Sequence, residues 1–216
     1  GCRDRVVLGT KFGLTERPED PNGGGNHRKA MKLALDQSLK RMQTDYVDVY
    51  WVHAWDGVTQ ADDVMRALDD MVRGGKVLYV GVSNTPAWQV AACNTLAHLR
   101  GWSSFVALQV EYSLLQRGAE RELLPMARAL GVGALAWSPL AGGLLARSAL
   151  AEAASPARPV SSARATRLPK VLGALDRLAK CVGVSLPQAA LAWCRKQSVL
   201  PIVGARRPEH LEACLA

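Results

Sequence analysis

Short apolar runs rich in β-branched residues alternate along this chain with longer segments of helical periodicity. The runs predict strands over residues 6–10, 46–53, 76–82, 105–110, 132–137 and 199–203. Because these runs are almost continuously apolar, we expect parallel strands that are buried on both faces and joined by right-handed crossovers. The alternation therefore predicts an α/β fold, either a doubly wound open sheet or a (β/α)8 TIM barrel.

The segments between the runs predict helices whose apolar residues fall on one face. They cover residues 26–42, 60–72, 120–130, 168–182 and 186–196, and Pro86 and Pro208 each open another helix. We expect Asn26 to cap the first helix. Residues 146–166 are rich in Ala, Ser, Pro and Arg and lack apolar periodicity, which predicts a mobile surface loop and a candidate lid.

Glycine spacing favours the barrel over the open sheet. A nucleotide-binding open sheet carries a GxGxxG turn after its first strand, whereas Gly23, Gly24 and Gly25 follow a long loop at a different spacing. The chain contains six predicted strands, and a closed barrel of this kind needs eight. We therefore expect one domain over residues 1–216 that holds about six of the eight βα units.

Composition narrows the class of protein. The chain carries 27 Lys and Arg against 19 Asp and Glu, but these are spread along helices, which favours solvated basic faces over a dedicated anion site. Aromatic residues make up 6%, too few for an interleaved nucleic-acid surface. Five cysteines without a CxxC pair argue against a disulfide framework or a metal site. No apolar run suits a membrane span or a signal peptide, so a cytoplasmic protein is expected.

Polar residues and glycines follow the predicted strands, at the barrel end where functional groups lie. In order they are TKFG, HAWD, SN, QVEY, WSPLAGG and GARR. Each is a weak signal alone, since a lysine at a strand end usually just reaches solvent. Together, DYVDVYWVHAWD, GKVLYVGVSN, LQVEYSLL and WSPLAGGLL resemble the aldo-keto reductases over nearly the whole chain, particularly the branch with potassium-channel β subunits and related bacterial reductases.

This resemblance implies reduction of an aldehyde or ketone by hydride transfer from NADPH. Lys11 matches the family lysine, which lowers the pKa of a tyrosine that acts as general acid. His53 matches the family histidine, which orients and polarises the substrate carbonyl. Without the motif, His53 would suit a structural role at a strand end equally well.

The resemblance also implies an NADP(H) site. Ser83, Asn84 and Gln109 match residues that hold the nicotinamide carboxamide, and Trp137 matches a residue that stacks on the ring, although Trp137 also suits a core position. The pyrophosphate would lie along Ser138, Pro139, Leu140, Ala141 and Gly142, and the 2′-phosphate at Gly204, Arg206 and His210. An arginine suits a phosphate dianion, hence NADP over NAD.

The chain departs from the family at two places. The family's Asp and Tyr lie upstream of the lysine strand, and only ten residues precede Lys11, so we expect an N-terminally incomplete chain or one completed by another polypeptide. Tyr50 should face the helices, and Tyr112 is not at the family's proton-donor position. Cys214 stands where the family usually has an asparagine that binds adenine, which would weaken adenine recognition.

Two functions stay open beside the reductase: a non-catalytic NADP-binding regulatory subunit, and a truncated pseudoenzyme kept as an interaction module. Trp51, Trp55 and Trp88 hint at an apolar or aromatic carbonyl substrate, although tryptophan at a pocket rim is also ordinary packing. The expected partner is a small molecule, not a nucleic acid or a membrane. The sequence leaves the oligomeric state open, a homo-oligomer included.

Overall fold

The computed structural model describes residues 1–15, 17–146, 162–205 and 207–215. Its strands are β1 (Gly9–Phe12), β2 (Val47–Val52), β3 (Val77–Ser83), β4 (Phe105–Glu111), β5 (Gly133–Trp137) and β6 (Val199–Pro201). They follow one another in chain order in the sheet. The pairings β1–β2, β2–β3, β3–β4 and β5–β6 are parallel. The predicted α/β architecture, consistent with a partial (β/α)8 barrel, is confirmed.

Helices connect these strands, as parallel pairing requires. They are α1 (Arg28–Met42), α2 (Ala61–Arg73), α3 (Ala87–Arg100), α4 (Leu123–Ala129), α5 (Ser162–Val182), α6 (Leu186–Lys196) and α7 (Pro208–Leu215). Short 3-10 turns cover Arg3–Arg5, Gly118–Glu120 and Ala141–Ala146. Within the described residues, none of the helices is long and apolar enough to cross a membrane.

The chain divides into two compact units. The N-terminal unit comprises Gly1–Gln109 and Pro125–Gly133, and the C-terminal unit comprises Val110–Leu124 and Ala134–Ala216. A single domain over residues 1–216 therefore stays a prediction.

The core of the N-terminal unit lies between β1–β3 and their helices. Tyr50 of β2 is fully buried, stacks on Phe12 of β1 at 4.7 Å between ring centroids, and donates its hydroxyl hydrogen to the Met31 carbonyl of α1 at 2.7 Å. This confirms that Tyr50 faces the helices. Burial raises the pKa of Tyr50 far above its usual value.

The core of the C-terminal unit is built from aliphatic side chains of α5, α6 and the segments after β4 and β5. Its buried members are Leu115, Leu145, Leu168, Leu172, Leu175, Ala179, Ala189 and Ala190. α6 matches the predicted bounds to the residue, because strong end signals define it. Ser185 accepts from the Gln188 N–H at 3.3 Å, and the Gln188 side chain accepts from the Ser185 N–H at 2.7 Å, which completes a capping box.

The first strand begins three residues later and ends two residues later than the apolar run predicts. Gly9 is the first residue paired with β2, and Val7 is 80% exposed. The Leu8 N–H instead donates to the Asp48 carboxylate at 2.8 Å, and Arg3 pairs with the same carboxylate at 2.7 Å. The apolar run predicted too early a start because Val6 and Val7 are apolar but precede the residues that pair with β2.

One helix-cap prediction, one helix prediction and one loop prediction need correction. Asn26 does not cap α1: His27 does, through Nδ1, which accepts from the Ala30 N–H at 3.3 Å. The helix predicted over 120–130 is a 3-10 turn followed by the shorter α4. The loop predicted over 146–166 is helical from residue 162, where α5 begins, and residue 146 ends a 3-10 turn. Residues 147–161, and with them the candidate lid, lie outside the described residues.

Candidate functional site

Lys11 lies in β1 directly opposite Trp51 of β2. The two are register partners, and the Lys11 Nζ atom is 5.8 Å from the Trp51 ring centroid, within reach of a cation–π attraction. Lys11 is half-buried, and this burial lowers the pKa of its ammonium group. The strand therefore presents a partly desolvated cation above an aromatic face.

Trp51 fits here because two neighbouring strands carry glycine where its ring lies. A Cβ atom added to Gly81 of β3 would lie 2.6 Å from Cζ3 and 2.8 Å from Cδ2 of Trp51. A Cβ atom on Gly9 of β1 would lie 3.0 Å from the Trp51 indole nitrogen. Sequence reasoning missed both glycines, although an isolated glycine inside a strand pattern is itself a signal of close approach.

His53 follows the last residue of β2, and its backbone is held on both sides. Its N–H donates to the Phe12 carbonyl of β1, and its own carbonyl accepts from Asn84 Nδ2, both at 2.9 Å. Burial, and secondly the positive charge of Lys11, lower the pKa of the imidazole. The neutral ring that results can donate one hydrogen bond and accept another.

The predicted amide-binding residues of the N-terminal unit follow on the next two strands. Ser83 ends β3 and is the register partner of Gln109 in β4, and both are buried. Asn84 is exposed and adopts a left-handed conformation with φ of 46°, while one of its amide hydrogens is committed to His53. The structure thus brings Lys11, His53, Asn84 and Gln109 to the carboxyl ends of four consecutive strands.

An unpredicted hydrogen-bonded cluster lies beside Lys11 and His53, and we call its three residues Asn26, Asp56 and Thr59 the Asn26 clip. Asn26 is fully buried, and its N–H donates to Asp56 Oδ2 while the Asp56 N–H donates to Asn26 Oδ1, both at 2.8 Å. Sequence reasoning assigned Asn26 to a helix cap because its partner lies 30 residues away.

In the C-terminal unit, the segment predicted to follow a pyrophosphate has an unusual backbone. Trp137 ends β5, and its indole nitrogen is buried with no hydrogen-bond partner among the described residues. Ser138, Ala141 and Gly142 have φ of 52°, 51° and 69°. Pro139 is buried, and Leu140 packs on the aliphatic core. Left-handed backbone of this kind is typical of anion-binding turns, in which successive N–H groups converge.

Of the residues predicted to bind a 2′-phosphate, Gly204 precedes α7 and His210 belongs to it. Gly204 has open space where a Cβ would lie, and His210 is in the first turn of α7. Arg206 lies outside the described residues. The cation that the structure describes here is Arg207, whose Nη2 is 3.0 Å from His210 Nε2. The sequence analysis included Arg207 in the GARR segment but did not assign it to the phosphate, although it directly precedes the helix.

Tyr112 is held by a clamp within the C-terminal unit. Its hydroxyl donates to Glu120 Oε1 at 2.6 Å, and its ring stacks on Trp193 at 5.1 Å. Arg117 donates to both Glu120 oxygens, at 2.8 Å and 2.9 Å. Burial and the Glu120 hydrogen bond raise the pKa of Tyr112 well above its usual value, so its hydroxyl is a poor proton donor. This environment does not favour Tyr112 as the proton donor.

Comparison with known proteins gives a consistent match. The model of the aldo/keto reductase family matches residues 1–216. The chain is 35% identical to an aryl-alcohol dehydrogenase of Pestalotiopsis microspora and 36% identical to a norsolorinic acid reductase of Aspergillus flavus, over 98% and 97% of its own length. It covers 56% and 55% of those relatives, and so spans slightly more than half of each. An uncharacterized oxidoreductase of Bacillus subtilis, YrpG, is 41% identical over 97% of the chain and 66% of its own length.

Proposed function

Because the chain belongs to the aldo/keto reductase family, whose members generally use NAD(P)H, we propose that this protein reduces an aldehyde or ketone to an alcohol with NADPH as the hydride donor. The observation that carries the proposal is the pairing of Lys11 and His53 at neighbouring strand ends. They are close enough for the charge of Lys11 to lower the pKa of His53. A partly buried cation beside a neutral imidazole suits stabilisation of a carbonyl oxygen that gains negative charge.

Each residue of this pair has a separate role. The neutral His53 ring donates a hydrogen bond to the substrate oxygen and thereby orients the carbonyl. The Lys11 ammonium favours the anionic form of an adjacent proton donor and so lowers its pKa. Neither Tyr50 nor Tyr112 is assigned as that donor, since each hydroxyl is engaged in a short hydrogen bond elsewhere.

The cofactor assignment rests on features of each unit taken separately. In the N-terminal unit, Ser83, Asn84 and Gln109 would hold an amide such as the nicotinamide carboxamide. In the C-terminal unit, Trp137 offers an aromatic ring and an N–H that no described residue accepts from, and residues 138–142 offer a backbone suited to phosphate oxygens. Gly204, Arg206 and His210 would bind the 2′-phosphate, joined by Arg207.

The substrate class follows from the names of the relatives. One is an aryl-alcohol dehydrogenase and another is a norsolorinic acid reductase. We propose an aromatic aldehyde or ketone as the substrate on the basis of these names. Trp51 is 6% exposed and packs against Gly9 and Gly81, and Trp88 is 69% exposed in the first turn of α3, so neither residue adds support. Trp55 is half-buried after β2 and stays a candidate contact.

The test separates binding from turnover. NADPH binding is followed by cofactor fluorescence, with NADH as the comparison, and turnover by loss of NADPH absorbance with benzaldehyde and substituted aromatic aldehydes. We expect NADPH to bind at least about tenfold more tightly than NADH, because a charge-assisted hydrogen bond to the 2′-phosphate contributes about 1.5 to 3 kcal/mol.

The Lys11→Met variant should lower turnover by roughly 10²-fold or more while NADPH still binds. Lys40→Met, which removes an exposed lysine of α1, is the matched control and should leave both measurements unchanged. Binding without turnover on any carbonyl would support a non-catalytic subunit instead. Absence of binding at millimolar NADPH would contradict both functions.

A further inference from the structure

Asn26 is a fully buried polar residue to which neither helix capping nor the proposed reduction assigns a task. It lies in the loop before α1 and hydrogen-bonds to the segment that follows β2. Besides its reciprocal pair with Asp56, its Nδ2 donates to the Ala54 carbonyl at 3.1 Å. Leaving a buried amide without hydrogen-bond partners lowers the folding stability by about 1 to 3 kcal/mol. These bonds therefore constrain the local backbone strongly.

The end of β1 packs on the same amide. Gly13 accepts from the Gly25 N–H at 2.9 Å and has φ of 113°, which a side chain rarely tolerates. A Cβ atom on Gly13 would lie 3.1 Å from Asn26 Nδ2 and 3.6 Å from the Ala54 carbonyl. Asn26 therefore joins the TKFG segment, which carries Lys11, to the segment that carries His53.

Asp56 anchors the other side of the clip. Its Oδ1 accepts from the Val58 and Thr59 N–H groups, both at 2.9 Å, and its Oδ2 accepts from Thr59 Oγ1 at 2.7 Å in addition to Asn26. Burial opposes ionisation, but these hydrogen bonds prevail and lower the pKa of Asp56 to about 2. The carboxylate thus stays charged and keeps its acceptor role at neutral pH.

The result is a short segment whose backbone is held at four points. The His53 N–H, the His53 carbonyl, the Ala54 carbonyl and the Asp56 N–H all have hydrogen-bond partners outside this segment, elsewhere in the N-terminal unit. Asn26 supplies two of these partners. Besides burial, the positive charge of Lys11 lowers the pKa of the imidazole.

We propose that Asn26 is a positioning residue for the Lys11–His53 pair, holding residues 53–56 so that the imidazole stays beside the Lys11 ammonium. The catalytic role of this arrangement rests on the proposed function. The positioning of residues 53–56 by Asn26, however, is a property of the chain without cofactor. Asn26 acts through the backbone and touches no reacting atom.

The experiment is an NMR titration of the histidine rings in the full chain without cofactor, with the His53 signal assigned by its loss in His53→Gln. In Asn26→Ala the pKa of His53 should rise towards its ordinary value of about 6.5, because the ring gains water and moves away from Lys11. His98 in α3 and His210 in α7 serve as internal references.

Thr59→Val provides a milder version of the same test, since it removes one hydrogen bond to Asp56 and keeps the side-chain shape. It should move the His53 pKa in the same direction by a smaller amount, and it carries the test if Asn26→Ala does not fold. Ser185→Ala, which removes the cap of α6 in the C-terminal unit, is the matched control for a general loss of stability. It should leave the pKa of His53 unchanged.

An unchanged His53 titration in both clip variants, with stability reduced as in Ser185→Ala, would overturn the proposal and leave the clip a purely structural feature. A second arm measures carbonyl turnover in Asn26→Ala, where kcat/KM should fall roughly tenfold or more while NADPH affinity stays unchanged. Failure of turnover in the unmodified chain would count against the proposed reduction, and the titration result would stand independently.

Discussion

The two units hold their strand-end segments in different ways. In the N-terminal unit, Asn26 and Asp56 exchange hydrogen bonds across 30 residues of sequence, and Gly13 lets the backbone approach them closely. In the C-terminal unit, the segment after β5 relies on local turns, such as the Ala141 N–H donating to the Ser138 carbonyl at 2.8 Å. The long-range hydrogen bonds thus lie near Lys11 and His53. The local left-handed turns lie in the proposed phosphate segment.

This difference suits the two tasks. An acid–base and carbonyl-orienting pair needs fixed positions, because small displacements of a reacting group reduce rates steeply. An anion-binding turn needs backbone N–H groups on a concave surface, which the conformation of a few consecutive residues can supply. The following predictions test how much long-range and local contacts contribute within each unit.

The largest effect is expected for Gly81→Ala in the N-terminal unit. The new methyl group would overlap the Trp51 ring, and overpacking of this kind costs about 2 to 3 kcal/mol of the unfolding free energy. Gly118→Ala in the C-terminal unit is the control, because a Cβ there meets open space. Urea unfolding followed by tryptophan fluorescence measures both, and equal stabilities for the two variants would contradict the close packing at Trp51.

Tyr112→Phe tests the clamp that Tyr112, Arg117, Glu120 and Trp193 form in the C-terminal unit. It removes the hydroxyl that donates to Glu120 and keeps the ring on Trp193, so we expect a loss of about 1.5 to 2 kcal/mol, typical of a hydrogen bond to a charged group. Tyr79→Phe, at an exposed tyrosine, should change the unfolding free energy by less than about 0.5 kcal/mol. If Tyr112→Phe lowers the unfolding free energy by no more than Tyr79→Phe does, stacking on Trp193 alone holds Tyr112.

Ser185→Ala measures a purely local device in the C-terminal unit. Removing the hydroxyl that accepts from the Gln188 N–H should cost about 1 kcal/mol, whereas Ser185→Gly should cost only a few tenths. Thermal unfolding by circular dichroism provides both values. Equal losses in the two variants would indicate that the contact of Ser185 Oγ with the Ala213 carbonyl, at 3.3 Å, matters more than the cap.

The smallest effect is expected from acid titration of Asp56. Its folded pKa of about 2 lies below the value of 3.8 expected without these hydrogen bonds, so its contribution to stability is present above about pH 4 and is lost as the pH falls towards 2. Solvent screens this half-buried carboxylate and limits the size of the effect.

The measurement is the unfolding free energy of wild type and Asp56→Asn between pH 5 and 2, with Glu212→Gln at an exposed site of α7 as control. The wild type should lose more stability over this range than Asp56→Asn. Parallel curves for these two proteins would show that ionised Asp56 contributes nothing to the clip.

Much of the fold was predictable because the signals are local. Strand β4 and helix α6 follow from apolar runs and end signals within a few residues, and Lys11 and His53 stand out at the ends of apolar runs. The helix at 162–166 was missed because Ala, Ser and Arg without an apolar stripe do not distinguish helix from loop. The first strand was misplaced because pairing with β2, and not hydropathy, defines where it begins.

The sequence by itself determined the alternation of strands and helices, the family, and the residues at each strand end, because periodicity and motifs depend on neighbours in the chain. Only the tertiary structure decided that Gly9 and Gly81 make room for Trp51 and that Asn26 binds the loop of His53. These roles depend on partners 28 to 42 positions away, which the folded backbone alone brings together.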